Sequence, residues 1–244
     1  MSVTNTYKAA WEGFWSEAPQ EQGSVFWDAE PAVTAELHLA SFEPHLTAAH
    51  LPLVDLGCGN GTQTRYFAGR FGTVVGTDLS DAAVEHARTS DPEGLADYRQ
   101  LDAADRDGVA GLHAELGDAN VYMRGVLHQC GPADQQPLVD NIATLLGERG
   151  RAVVVEPAEA AGAALRALAQ GPSGPPPKLA PVLRHGIAPG TVPDSAVPEL
   201  FAAAGLVVLA EGRLPLTTTD FGPDGRRIEL PSNWWVVGAG SVPA

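Results

Sequence analysis

The chain has 244 residues, of which 44% are hydrophobic and 18% charged; 15 basic against 30 acidic side chains give a formal net charge of −15. That is enough material for a full α/β core, and the composition is neither that of a disordered chain nor that of a charged coiled coil. The negative charge argues against nucleic acid and anionic membranes as partners, since both are held by Lys and Arg.

Two cysteines, Cys58 and Cys130, make no disulfide framework and no Cys-x-x-Cys spacing, so no metal site is expected. The start, MSVTNTYKAAWEGFW, lacks the basic-then-apolar pattern of a secretion signal, and no apolar run reaches the ~18–20 residues of a membrane span. A reduced, cytoplasmic setting is the expectation.

Residues 1–45 read as mostly helical. Tyr7, Trp11, Phe14 and Trp15 have helical spacing, and with Phe26 and Trp27 they place six aromatics in the first 27 residues. They pack a helix on the core, or cap a site, or both. Ring faces attract a cation by about 0.5–2 kcal/mol, so Trp11, Trp15 and Trp27 are candidate substrate contacts.

From residue 51 short apolar runs alternate with helical patterns, the signature of a βαβ series and a largely parallel sheet. Strands are predicted at 51–57, 72–78, 98–101, 119–125, 151–157, 206–212 and 233–240. The last is expected to be antiparallel, since no helix separates it from its predecessor. Helices are predicted at 62–71, from Ser80 as N-cap to about Ser90, at 133–146 and at 198–204. Trp234 and Trp235 point to opposite faces of the last strand and read as core. Residues 158–193 interrupt the series, and GPSGPPPKLAP (171–181) cannot be a continuous helix. This insertion is a surface linker or a lid over a site. Within it Lys178, Arg184 and His185 are clustered cations: a solvated face, or contacts to an anionic substrate.

Asp55-Leu56-Gly57-Cys58-Gly59-Asn60-Gly61-Thr62 follows the first strand and opens a helix. Glycines let the chain turn sharply and let a ligand approach the backbone. A dinucleotide fingerprint would need a glycine where Thr62 stands. Asp78, 21 residues after Gly57, ends the second strand, where a carboxylate can accept from both hydroxyls of a ribose. Asp102 ends the third strand, where it can accept from an exocyclic amine. Arg124 sits in an apolar strand and needs a partner if buried: a ligand carboxylate, Asp102 or Glu156. Glu156 ends the fifth strand, to line the pocket or cap the next helix. His128 follows the fourth strand at the ligand crevice, as a general base or as a structural histidine bonded to backbone.

These motifs resemble the class I S-adenosylmethionine-dependent methyltransferases: LVDLGCGNGT the first motif, VVGTDLS the second, LDAAD more weakly the third, and NVYMRGVLHQC the segment around the fourth strand. The resemblance covers residues 50–157 well and runs more loosely to the end. It implies a seven-stranded, mostly parallel, doubly wound sheet with a reversed last strand. The chain would be one domain: an N-terminal helical cap (1–45), a cofactor-binding half (46–157), an insertion or lid (158–193) and the C-terminal half of the sheet (194–244).

S-adenosyl-L-methionine would lie across the strand ends, with Asp55 and Gly57, Gly59 and Gly61 on its methionine part, Asp78 with Leu79 on the ribose, Asp102 with Ala103 on the adenine, and Arg124 among the cofactor contacts. His128 is the catalytic candidate. Trp11, Trp15, Trp27, Arg184 and His185 are the substrate candidates. The expected reaction is in-line methyl transfer, without metal, to a small molecule of secondary metabolism. Intramolecular cyclisation of the cofactor with release of methylthioadenosine, and a non-enzymatic binding module, are the other readings of the same fold.

Overall fold

The computed structural model describes residues 3–171, 174–187, 192–222 and 224–240. Parts of the predicted insertion, residues 172–173 and 188–191, lie outside the described residues.

Seven strands form one sheet: β1 (Leu53–Leu56), β2 (Val74–Asp78), β3 (Asp97–Gln100), β4 (Asn120–Arg124), β5 (Arg151–Pro157), β6 (Leu206–Arg213) and β9 (Ser232–Ala239), in the order β3-β2-β1-β4-β5-β9-β6. The first five are parallel to one another, and β1, β2, β4 and β5 are buried, apolar runs of the kind a covered parallel sheet needs. β9 inserts antiparallel between β5 and β6. The chain therefore runs from β1 outward to β3, then crosses to β4 on the other side of β1. That reversal opens a crevice at the carboxyl ends of β1 and β4, the place where open α/β sheets bind ligands.

Helices cover both faces. α6 (Pro132–Leu146) and α9 (Ala196–Ala203) pack on one, where Phe201 meets Trp235 edge-on. α2 (Ala35–Phe42) and α3 (Thr62–Ala68) pack on the other, around Phe42, Phe67, Tyr122 and Trp234. The two tryptophans of β9 thus face opposite cores, as predicted.

α1 (Val3–Glu17) lies against α4 (Asp81–Thr89). The predicted cap at Ser80 is present, its side chain accepting from Ala83 N–H. Glu12 of α1 adds a second cap: its carboxylate accepts from Ser80 Oγ at 2.7 Å and from Ala82 N–H at 3.2 Å. A carboxylate stabilises the exposed N–H groups of a helix start, so this pair fastens the N-terminal helix over the crevice.

The structure departs from expectation in four places. α3 stops at Ala68, its capping N–H groups turned into a tight bend at Gly69, instead of continuing to Phe71. α5 (Arg106–Leu116), capped by Asp105, fills a gap the pattern left open, because Gly108 and Gly111 obscure its periodicity. β7 (Leu216–Phe221) and β8 (Arg227–Leu230) form a separate hairpin. The insertion is itself partly helical, with α7 (Glu159–Ala169) and α8 (Leu179–Arg184). Among the described residues no helix is long and apolar enough to cross a membrane.

Candidate active site

A cavity of about 470 Å³, within the range of small-molecule sites, opens at the crevice between β1 and β4. Its floor is the glycine turn. Gly57, Gly59 and Gly61 all have positive φ (75°, 55° and 73°), and Gly57 and Cys58 both donate to Thr77 O, at 2.8 and 2.9 Å. A Cβ on Gly57 would stand 2.4 Å from Val126 Cγ2, and one on Gly59 would stand 2.9 Å from the Trp15 ring. Neither position tolerates a side chain. Gly61 serves differently: its Cβ would meet Tyr98 and Ala87, so it seats the turn on β3 and α4 and does not line the cavity. That corrects the expectation that all three glycines face the ligand.

Asp78 sits at the tip of β2 and lines the cavity. Its Oδ2 accepts from Gly59 N–H and its Oδ1 from Ser80 N–H, both at 2.9 Å. Loss of hydration lifts its pKa to about 6 against those two bonds, with Glu12 adding to the rise. Asp55 is buried and raised further, to about 7, by desolvation. A 2.6 Å bond from Thr64 Oγ1 and the Arg124 charge act in the opposite direction. Leu79, Asp102 and Ala103 also line the cavity. Asp102 is held by Ala104 N–H at 2.9 Å, and Ala103 O by the Asn141 amide at 2.9 Å.

Arg124 pairs with neither Asp102 nor Glu156. Its Nη2 donates to Trp27 O at 2.9 Å, while its buried Nη1 has no partner among the described residues. A buried guanidinium N–H is costly without an acceptor, and the carboxylate of an amino-acid ligand would supply one. Asp28 lines the same cavity and was missed by sequence reasoning. It is buried, and its Oδ2 accepts from Gly23 N–H and the Asn60 amide, both at 2.8 Å. No local pattern marks it; its partners come from two separate loops.

Glu156 does something other than predicted. It caps no following helix and does not line the cavity. Its Oε1 accepts from Val126 and Leu127 N–H at 2.9 Å, and its Oε2 from His128 N–H at 3.1 Å and His128 Nδ1 at 2.8 Å. One carboxylate thereby holds the short 3-10 turn Leu127–Gln129 and orients His128. The His128 ring is thus held by side chains, Nδ1 by Glu156 and Nε2 by the Gln129 amide, and the residue lines the cavity.

The aromatic segment forms the roof. Trp11, Trp15 and Trp27 line the cavity, and Phe14 packs among all three at ring separations of 5.4–5.8 Å. Both predicted roles, packing and lining, coexist here. Arg184 and His185, by contrast, are not brought to this cavity. They border a small separate depression, where His185 Nε2 lies 3.1 Å from Glu17. Lys178 is structural: its ammonium donates to Gly23 O and Thr219 O at 2.7 and 3.2 Å. α8 turns Leu179, Val182 and Leu183 to the cavity, whereas Arg184 is exposed and His185 packs edge-on against Phe14.

The residues fit an adenosyl sulfonium carrying an amino-acid end. There is a side-chain-free turn, a carboxylate at the tip of β2 for a vicinal diol, an unpaired guanidinium N–H for a carboxylate, and indole rings nearby for a cation. Among the described residues no cluster of His, Cys, Asp and Glu has the arrangement of a metal site.

Comparisons with known proteins agree. Residues 54–154 match the family model described as a methyltransferase domain. An S-adenosylmethionine-dependent methyltransferase from Anabaena variabilis is similar at 28% identity over 98% of this chain and 96% of its own, with a TM-score of 0.87. A structure solved for the conversion of a disulfide bond into a thioacetal group during echinomycin biosynthesis shares the fold (19% identity, 99% and 94% coverage, TM-score 0.66). So does magnesium protoporphyrin IX methyltransferase from Synechocystis with bound S-adenosylhomocysteine (16%, 85% and 82%, TM-score 0.57). A search of curated proteins gave no significant match. Motif, sheet order and these likenesses agree: residues 54–154 match a methyltransferase domain, the fold is that of class I S-adenosylmethionine-dependent methyltransferases, and the cofactor they indicate is S-adenosylmethionine.

Proposed function

We propose that this protein transfers a methyl group to a small molecule of secondary metabolism, in line and without a metal, with His128 as general base. Its segments 1–45, 46–157, 158–193 and 194–244 would act as one domain in a reducing, cytoplasmic setting that keeps Cys58 and Cys130 as thiols. The observation that carries the reading is the continuity of the glycine-turn cradle with an aromatic chamber in the same cavity. When bound, S-adenosylmethionine supplies a methyl carbon already activated on a sulfonium, whose loss leaves a neutral thioether. The protein's part is to hold an acceptor about 3–3.5 Å from that carbon and to exclude water. His128 Nε2 would receive the acceptor's proton, and Glu156 at Nδ1 would stabilise the resulting imidazolium.

His128→Ala is expected to lower turnover about 10²–10⁴-fold, the usual worth of a positioned base, with cofactor affinity nearly unchanged. Steady-state rates beside calorimetry check this, and unchanged turnover removes His128 from the mechanism. Incubation with S-adenosylmethionine, followed by mass identification of the nucleoside, tests the reaction itself. S-adenosylhomocysteine supports methyl transfer; methylthioadenosine formed without an acceptor would favour cyclisation.

The raised pKa of Asp78 sets a pH dependence. The carboxylate form is the better acceptor for a diol, and it is lost as pH falls through about 6. Affinity for S-adenosylhomocysteine should therefore be full above about pH 7 and fall by up to about tenfold per unit below 6. Asp55, raised to about 7, changes charge in the same range, so Asp78→Asn is the control. Calorimetry from pH 5 to 8 should show a flatter profile for that variant, and identical profiles would count against Asp78.

A further inference from the structure

Away from the glycine turn the cavity wall is apolar. Phe26, Leu179, Val182, Ile187, Leu216 and Leu230 are all buried there, contributed by the N-terminal segment, the insertion and the β7–β8 hairpin. The charged groups are distributed unequally. Asp28, Asp55, Asp78, Asp102, Asp134 and Glu159 line the cavity, whereas the cationic lining residues among those described are Arg124 and the exposed Arg166.

A single polar chain joins the two halves. Tyr7 Oη donates to Gln129 Oε1 at 2.9 Å, which turns the Gln129 amide nitrogen toward His128 Nε2 at 2.8 Å. Glu156 occupies Nδ1 on the far side of the ring. With its proton at Nδ1, the neutral imidazole presents Nε2 as a lone pair, and the Gln129 amide covers it. Tyr7, Gln129 and His128 all line the cavity.

We infer that the acceptor is an uncharged, largely apolar small molecule with one proton-bearing heteroatom, which donates to His128 Nε2 in place of the Gln129 amide. This rests on the methyltransferase reading above. An anionic acceptor would face five aspartates and Glu159. An ammonium would shed its hydration against Phe26, Leu179, Val182 and Ile187, and it has no lone pair with which to take the methyl group. An acceptor without a proton, such as a thioether or tertiary amine, would leave the lone pair covered and need no base. A neutral hydroxyl replaces one N–H donor by another donor at the same acceptor, at little net cost.

The test uses the full chain saturated with S-adenosylhomocysteine. Four naphthalene probes are titrated: 2-naphthol, its methyl ether, its carboxylate derivative and its aminomethyl derivative. Quenching of tryptophan fluorescence reports each affinity, since Trp11 and Trp27 line the chamber. 2-Naphthol is expected to bind at least about tenfold more tightly than each of the other three. His128→Leu should erase its advantage over the methyl ether. Gln129→Ala, which leaves the Glu156 bonds intact, should bind 2-naphthol at least as tightly as the unaltered protein.

Equal or tighter binding of a charged probe, an advantage that survives His128→Leu, weaker binding by Gln129→Ala, or no binding of 2-naphthol overturns the inference. Failure to bind S-adenosylhomocysteine at the outset would instead overturn the methyltransferase reading, so the two failures are told apart.

Discussion

Asp78→Ala should weaken S-adenosylhomocysteine binding about 100-fold or more, the largest loss of cofactor affinity expected from any single substitution. Hydrogen bonds to a charged acceptor contribute about 1.5–3 kcal/mol each, and a vicinal diol would make two. Asp78 also accepts from Gly59 N–H and Ser80 N–H, so its removal frees the glycine turn and the start of α4 together. Asp78→Asn separates the two contributions. It retains one acceptor oxygen and should lose less affinity than alanine, with the turn still held on one side. Isothermal calorimetry on the three proteins decides the matter; an alanine variant that binds as tightly as the parent would refute the assignment of the β2 tip.

Glu156→Ala is expected to have the largest effect on stability. Three backbone N–H groups, at Val126, Leu127 and His128, and one ring nitrogen lose their acceptor at once. Each buried donor left bare costs about 1–3 kcal/mol. With local relaxation the sum should be about 3–5 kcal/mol, lowering the melting temperature by about 10 °C in a chain of this size. Glu156→Gln asks a sharper question. Its amide oxygen can still accept from Val126 and Leu127, but its amide nitrogen would face His128 Nδ1 as a donor. The imidazole proton then moves to Nε2, and the lone pair that faces the cavity is lost. This variant leaves only the His128 N–H without an acceptor, so it should melt a few degrees below the parent and well above Glu156→Ala, while turning over as slowly as His128→Ala. Thermal denaturation and steady-state rates check both halves, and full turnover in Glu156→Gln would mean that His128 accepts no proton.

The sheet was legible in the sequence because its strands are short, apolar and bounded by turn residues. LVDL, VVGTD and RAVVVEP need no tertiary information to be read. The glycine turn and the acids at the strand tips were legible for the same reason: their meaning lies in spacing along a βαβ unit. What escaped was non-local. Glu156 is bonded to residues 28–30 positions away, and a lone acid at the end of an apolar strand signals burial without naming its partner. Asp28 joins Gly23 and Asn60 through loops of no regular pattern. The β7–β8 hairpin is polar and threonine-rich, and it is stabilised from outside itself. Thr219 bonds Val25 O and Phe26 O of the N-terminal segment. Arg184 and His185 were misread because positive charge in an acidic chain says nothing of which way a short helix turns.

The place of β9 has a consequence for synthesis. The latest of the seven strands in chain order does not finish the sheet at its margin; it wedges between two strands made earlier, pairing with β5 on one side and β6 on the other. Until residues 232–239 emerge, Val153, Val154 and Val155 present an uncovered ladder of amides and carbonyls beside branched apolar side chains. Such naked margins recruit other chains. A nascent polypeptide halted before that point would be sticky, and shielding by a chaperone would matter most until residues 232–239 have emerged.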